Sequence, residues 1–217
     1  MNILNRFKIK NYTMLLKYLL TGAVGFGFGS FFPFKFYPEV SFNAMGYANP
    51  NIIGLLIFGA IGGVSLGIMS RNTKKILYLA LLGSIGIPIG FIMSFVFLYP
   101  FTVLILFFLS FLLPQSFLPF LMFFISFLFG GLITGIFYGI ASKNIKKILC
   151  MSIAGGLGFA FGALFVFKIS IIIYGISNMP PKSPLFWGLS AYIIFGTITG
   201  IFLALGMYFA EKTSISK

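Results

Sequence analysis

The sequence predicts an all-α integral membrane protein: six transmembrane helices forming three pseudo-symmetric, glycine-rich two-helix repeats. Three observations predict it. Of 217 residues, 59% are hydrophobic and 8% charged, with a mean hydropathy of +1.09, against about 25% charged residues in an ordinary soluble domain. The charges that remain fall on alternate loops. Glycines recur at fixed spacings in segments that align with one another.

A bilayer core about 30 Å thick needs about 20 apolar residues in a helix, because each backbone N–H and C=O must be paired within the segment. Six segments meet that length, at roughly 13–34, 52–70, 75–99, 117–142, 147–168 and 185–210. The first follows a basic start and could be read as a secretory signal. Its pattern recurs inside the chain, however, which argues for a retained helix. Tyr37 to Asn51, Ser70 to Lys75, Ser142 to Lys147 and Asn178 to Pro184 supply polar or turn-forming connections.

The apolar surplus Pro100 to Pro119 does not fit a seventh span. A crossing by residues 101–113 would place Lys143, Lys146 and Lys147 on the opposite side from Arg71, Lys74 and Lys75, against the bias of basic residues toward the cytoplasm. A helix broken near Pro100 is expected instead, lying along or dipping into the outer leaflet before Pro114 and Pro119 turn it.

The formal charge of +13, from 15 Lys plus Arg against 2 Asp plus Glu, admits nucleic acid, anionic lipid or topology as its cause. Position decides for the last two. Arg6, Lys8, Lys10 and Lys17 open the first span, Arg71, Lys74 and Lys75 follow the second, Lys143, Lys146 and Lys147 the fourth, and Lys212 and Lys217 the sixth. Only Lys35, Lys168 and Lys182 fall opposite. Both termini are therefore expected in the cytoplasm of a multi-pass cell-membrane protein whose basic loops, Arg71, Lys74, Lys75, Lys143, Lys146 and Lys147, touch anionic headgroups. No nucleic-acid surface is expected.

An internal repeat organises the single membrane domain of residues 1–217. A shift of 72 residues aligns 59–95 with 131–167, with the identities concentrated in glycines and in a basic loop reading Ser-(Arg/Lys)-Asn-x-Lys-Lys. Each copy is a hairpin of helix A, loop and helix B. Shifts of 133 and 65 make residues 10–35 a further helix B and the last span a further helix A. The chain order is B, A-B, A-B, A, with repeat units 52–99, 117–168, and 185–217 plus 1–34. A closed ring about a pseudo-threefold axis, in which the last helix packs beside the first, explains that order.

The glycines are expected to be helix-packing faces, because in lipid close backbone approach replaces hydrophobic burial as the source of association. Helix A carries Gly59, Gly63 and Gly67, then Gly131, Gly135 and Gly139, then Gly196 and Gly200. Helix B carries Gly22, Gly25 and Gly29, then Gly83, Gly86 and Gly90, then Gly155, Gly158 and Gly162, at spacings of three and four. The abundant Phe is expected to fill space opposite them. Gly25-x-Gly27-x-Gly29 resembles a dinucleotide fingerprint only in spelling, since no strand precedes it.

Catalysis needs a nucleophile with a base, a metal or a pair of acids. The chain has no His and one Cys, and its two acids, Glu39 and Glu211, flank different ends of the spans. No enzyme, metal or cofactor is expected. Lys35 and Lys168, equivalent in the repeat, are candidates for attracting anions at the outer face, with snorkelling to the interface as the plainer role. Two functions remain. The first is a small transporter or channel-like protein for a neutral, apolar or anionic solute, and the second a structural or assembly subunit that docks a partner subunit, or its own copies as a homo-oligomer, through glycine faces.

Overall fold

The computed structural model describes residues 3–35, 52–70, 72–109, 114, 117–177 and 184–215. Every element among them is helical: α1 (Ile3–Gly29), α2 (Phe31–Lys35), α3 (Ile52–Ile68), α4 (Thr73–Leu109), α5 (Leu118–Ile140), α6 (Ile145–Ser177) and α7 (Pro184–Ile215). Five stretches are long and apolar enough to cross a bilayer: Tyr12–Pro33, Thr73–Ser94, Phe120–Ile140, Ile145–Ile169 and Leu189–Lys212. The apolar α3 is shorter, at 17 residues. This is the architecture of a multi-pass helical membrane protein. Leu20, Val24, Leu81, Ile153 and Phe165 stand exposed on its outside, where lipid contact satisfies apolar side chains.

The two short turns show how the basic-loop motif works. Ser70 donates its backbone N–H and its hydroxyl to the Gly67 carbonyl, at 2.9 and 2.6 Å. Ser142 does the same to Gly139, at 3.0 and 2.6 Å. These serines satisfy carbonyls left open at a helix C-terminus. The asparagines then start the next helix, with Asn72 Oδ1 accepting the Lys75 N–H at 3.3 Å and Asn144 Oδ1 the Lys146 N–H at 2.9 Å. Both act as N-caps. Between them, in the second turn, Lys143 takes a left-handed backbone with φ of 50°.

Around the bundle the helices pack in the order α1, α3, α4, α5, α6, α7, and α7 packs back on α1. The circuit thus closes at a seam that no turn connects. Its centre is filled. Phe26 of α1 meets Phe58 of α3 and, across the middle, Tyr138 of α5. Phe91 of α4 meets Phe159 of α6 and Phe195 of α7, again across the middle. All six of these side chains are buried, and edge-to-face packing of this kind adds to what burial alone contributes.

Three expectations about helix ends are corrected. The break near Pro100 does not occur: α4 runs on through Pro88 and Pro100 to Leu109. A proline removes one hydrogen bond and crowds one carbonyl, and α4 absorbs both at Pro88 and at Pro100 without ending. At 37 residues and 1.5 Å per residue, α4 rises about 55 Å and outruns one bilayer core. α1 begins at Ile3, so Arg6, Lys8, Lys10 and Lys17 lie on the helix itself. α6 continues to Ser177, well past the expected end near 168, because the apolar run Ile169 to Tyr174 has no helix breaker.

Candidate functional site at the basic end of the bundle

The glycines meet helices of the same chain. An ideal Cβ on Gly59 would overlap the Gly83 carbonyl, one on Gly63 the Leu79 carbonyl and one on Gly67 the Ile76 backbone. Gly131, Gly135 and Gly139 stand in the same relation to Gly155, Met151 and Ile148. At the α4–α5 and α6–α7 contacts, Gly86 and Gly90 face Phe137 and Gly130, while Gly158 and Gly162 face Phe202 and Phe195. Between α1 and α3, Gly25 and Gly29 face Ser65 and Phe58. Gly22 faces Gly200, and Gly196 faces the Phe26 carbonyl.

Bare glycine carbonyls also accept hydroxyls from other helices, adjacent or across the centre. Thr134 donates to Gly86 at 3.1 Å, Thr199 to Gly158 at 3.4 Å and Tyr138 to Gly59 at 2.9 Å. Ser152 reaches the Leu132 carbonyl at 3.1 Å. Ser65 and Ser84 instead bond back to their own helices, at Gly62 and Leu81. These hydroxyls are committed to protein partners, so they define no polar track through the middle.

The charged candidates separate. Lys168 is exposed on α6. Lys35 ends α2, and its side chain, like the whole of Arg71 and Glu39, lies outside the described residues. Lys74, Lys143 and Lys146 are exposed, while Lys75 and Lys147 are half-buried.

Lys75, in the first turn of α4, reaches across the basic end of the bundle to Glu211 near the end of α7, with Nζ to Oε1 at 2.7 Å. The other carboxylate oxygen of Glu211 accepts the hydroxyl of Tyr18 from α1. Both side chains of the ion pair are less than a third exposed, at 24% and 29%. Neither α1 nor α7 is a packing neighbour of α4 in the circuit, so the cluster ties three helices together at one end of the bundle. Tyr18 is otherwise buried against Tyr208. Under this tie lies a cavity of about 20 Å³, lined by Lys75, Tyr138, Ser142, Lys147, Met151 and Glu211 among others. That is room for about one water.

The cluster is not legible from sequence spacing. Lys75 reads as a loop charge and Glu211 as a terminal one, and Tyr18 sits 193 residues from Glu211. The one available signal is that Glu211 is an acid set against the end of an apolar span, which calls for a named partner. Comparison of the chain with models of protein families, with curated proteins and with solved structures finds no match. The class is therefore defined by architecture: a helical multi-pass membrane protein with a packed centre and a charged tie across one end.

Proposed function

We propose that the chain is a non-enzymatic membrane transporter or channel-like protein, seen with its path shut, that binds or passes a small neutral, apolar or anionic solute near the bundle axis. The observation that carries this reading is the Lys75–Glu211–Tyr18 cluster. A carboxylate and an ammonium that are each less than a third exposed carry a desolvation cost, and ionisable groups set against membrane spans are markers of solute paths. The cluster acts as a latch on one mouth and the aromatic centre as a plug behind it.

The reading includes six spans. At 1.5 Å per residue the 17 residues of α3 rise about 26 Å, at the short limit of a bilayer crossing. Crossing by α3 puts the α3–α4 and α5–α6 turns and both termini on one face, which the positive-inside bias assigns to the cytoplasm. Two of the three two-helix units are supported by the matched contacts of Gly59, Gly63 and Gly67 with those of Gly131, Gly135 and Gly139, each set 72 residues from the other, and the third by the mutual approach of Gly22 and Gly200. The rival reading, an assembly subunit docking through glycine faces, loses support because those faces meet helices of the same chain.

Efflux of chloride and of glycerol from liposomes holding the purified chain tests the proposal. Opening the latch with Lys75→Ala plus Glu211→Ala is expected to raise efflux of at least one of the two above that of the unaltered chain. Efflux equal to empty liposomes for both forms, with a second membrane protein co-purifying in fixed ratio, would overturn it in favour of the assembly subunit.

A further inference from the structure

α4 carries its apolar character well past one membrane crossing. Its span Thr73–Ser94 takes 22 of the 37 residues, which leaves 15 to run on to Leu109, a further rise of about 22 Å at 1.5 Å per residue. This extension lies at the end opposite the lysine-bearing turns. From Phe95 to Leu109 it holds no charge and no glycine. Each of its side chains that the structure describes is exposed: Pro100, Leu104, Phe107 and Phe108, the last three at 57%, 67% and 63%. Their spacing puts them on one side of the helix. A stripe of large apolar groups marks a surface that meets protein or lipid rather than water.

Two observations select lipid over another helix. Where helices of this chain meet closely, glycine admits the approach, as at Gly59 with Gly83, Gly131 with Gly155 and Gly22 with Gly200. No glycine occurs between Gly90 and Gly130, and bulky side chains keep helix backbones apart in a membrane. The stripe also follows, on the same helix, the exposed Leu77, Leu81, Ile85 and Ile92 of the span, whose neighbour is lipid.

We propose that acyl chains of the leaflet opposite the lysine-bearing turns cover residues 95–109, and that the protein therefore favours a bilayer thicker than the usual hydrocarbon core of about 30 Å. At a tilt of about 40°, the steep end of the usual range, the roughly 55 Å of α4 still project about 42 Å on the membrane normal. The lipid beside α4 thickens to meet it, so longer acyl chains are favoured there. The inference stands apart from any transport by the bundle.

The test places a nitroxide at position 108 of the full chain, through Phe108→Cys in a Cys150→Ser background, in vesicles of dioleoyl phosphatidylcholine. Collision with dissolved oxygen, which concentrates among acyl chains, is expected to exceed collision with a water-soluble nickel chelate. Nickel ahead of oxygen would put the position in water, and weak collision with both would put it against protein; either result overturns the proposal. Thermal unfolding in vesicles gives a second measurement. The unaltered chain is expected to show a Tm roughly 5 °C higher in dierucoyl phosphatidylcholine than in the shorter dimyristoleoyl lipid. Leu104→Gln, Phe107→Gln and Phe108→Gln together, all at exposed positions, should remove most of that gap. A gap absent from the unaltered chain, or kept in full by the triple variant, overturns the proposal. So does a dimer in detergent that the triple variant abolishes, which would assign the stripe to a second copy of the chain.

Discussion

Gly22 of α1 and Gly200 of α7 lie face to face across the seam, each with its carbonyl where the other's Cβ would stand. In the two hairpins the same mutual relation joins Gly59 with Gly83 and Gly131 with Gly155. The repeat shift of 65 places Gly131 on Gly196, yet Gly22 meets Gly200, one helical turn further along. The hairpins are held in register by their tight turns. Nothing covalent holds α7 to α1 at that end, and the seam takes the offset.

The close approach makes a steric prediction. Gly131→Leu forces a branched side chain into the Gly155 backbone and Phe159, and is expected to cost roughly 3 kcal/mol, the upper part of the usual overpacking range. Val24→Leu on the exposed face is the control and should be near neutral. Unfolding in detergent measures both, and a Gly131→Leu chain as stable as the control would contradict the contact.

Lys143 gives a prediction of the opposite sign. Its φ of 50° is strained for a residue with a Cβ and carries no steric penalty for glycine, whose larger ordering entropy offsets part of the gain. Lys143→Gly is expected to stabilise by about 1 kcal/mol, read as a higher unfolding temperature. A lower one would mean that the lysine side chain contributes more than its backbone strain costs.

The caps should respond alike. Asn72→Ala and Asn144→Ala each remove a side-chain acceptor from a helix N-terminus and are each expected to cost about 1 kcal/mol. The two sites are on separate turns, so the double variant should lose the sum within about 0.5 kcal/mol.

Tyr138→Phe deletes the hydroxyl that spans the centre to Gly59 and keeps the ring against Phe26. The Gly59 carbonyl keeps its bond within α3, so the loss is expected near 1 kcal/mol, the net value of one buried hydrogen bond. Tyr138→Ala empties the ring's volume as well and should cost about 3 kcal/mol or more. A Tyr138→Phe chain as damaged as Tyr138→Ala would assign the hydroxyl a larger part than packing does.

Local features are legible in this sequence and long-range ones are not. Ser70, Asn72, Ser142 and Asn144 can be read directly as stop and start signals, because capping depends on residues two or three apart. The glycine spacing likewise selects one face of each helix before any neighbour is known. Pro100 misleads because its local cost is visible in the sequence, whereas the capacity of a long helix to absorb that cost and run on to Leu109 is not. Tyr18, Lys75 and Glu211 come together only once α1, α4 and α7 are arranged about a centre, and no spacing along the chain encodes that meeting. The filled centre is similarly silent: Phe26, Phe91 and Phe159 look like any other Phe in a chain that has 31 of them.

The unlinked seam also bears on how the chain is made. α1 is synthesised before α7, so the Gly22 face of α1 waits in the membrane, uncovered on that side, until translation reaches α7. The two tight hairpins can settle as each is inserted. Closure of the circuit then follows both hairpins, and a nascent chain halted before Pro184 would present an open groove that other helices in the same bilayer could occupy.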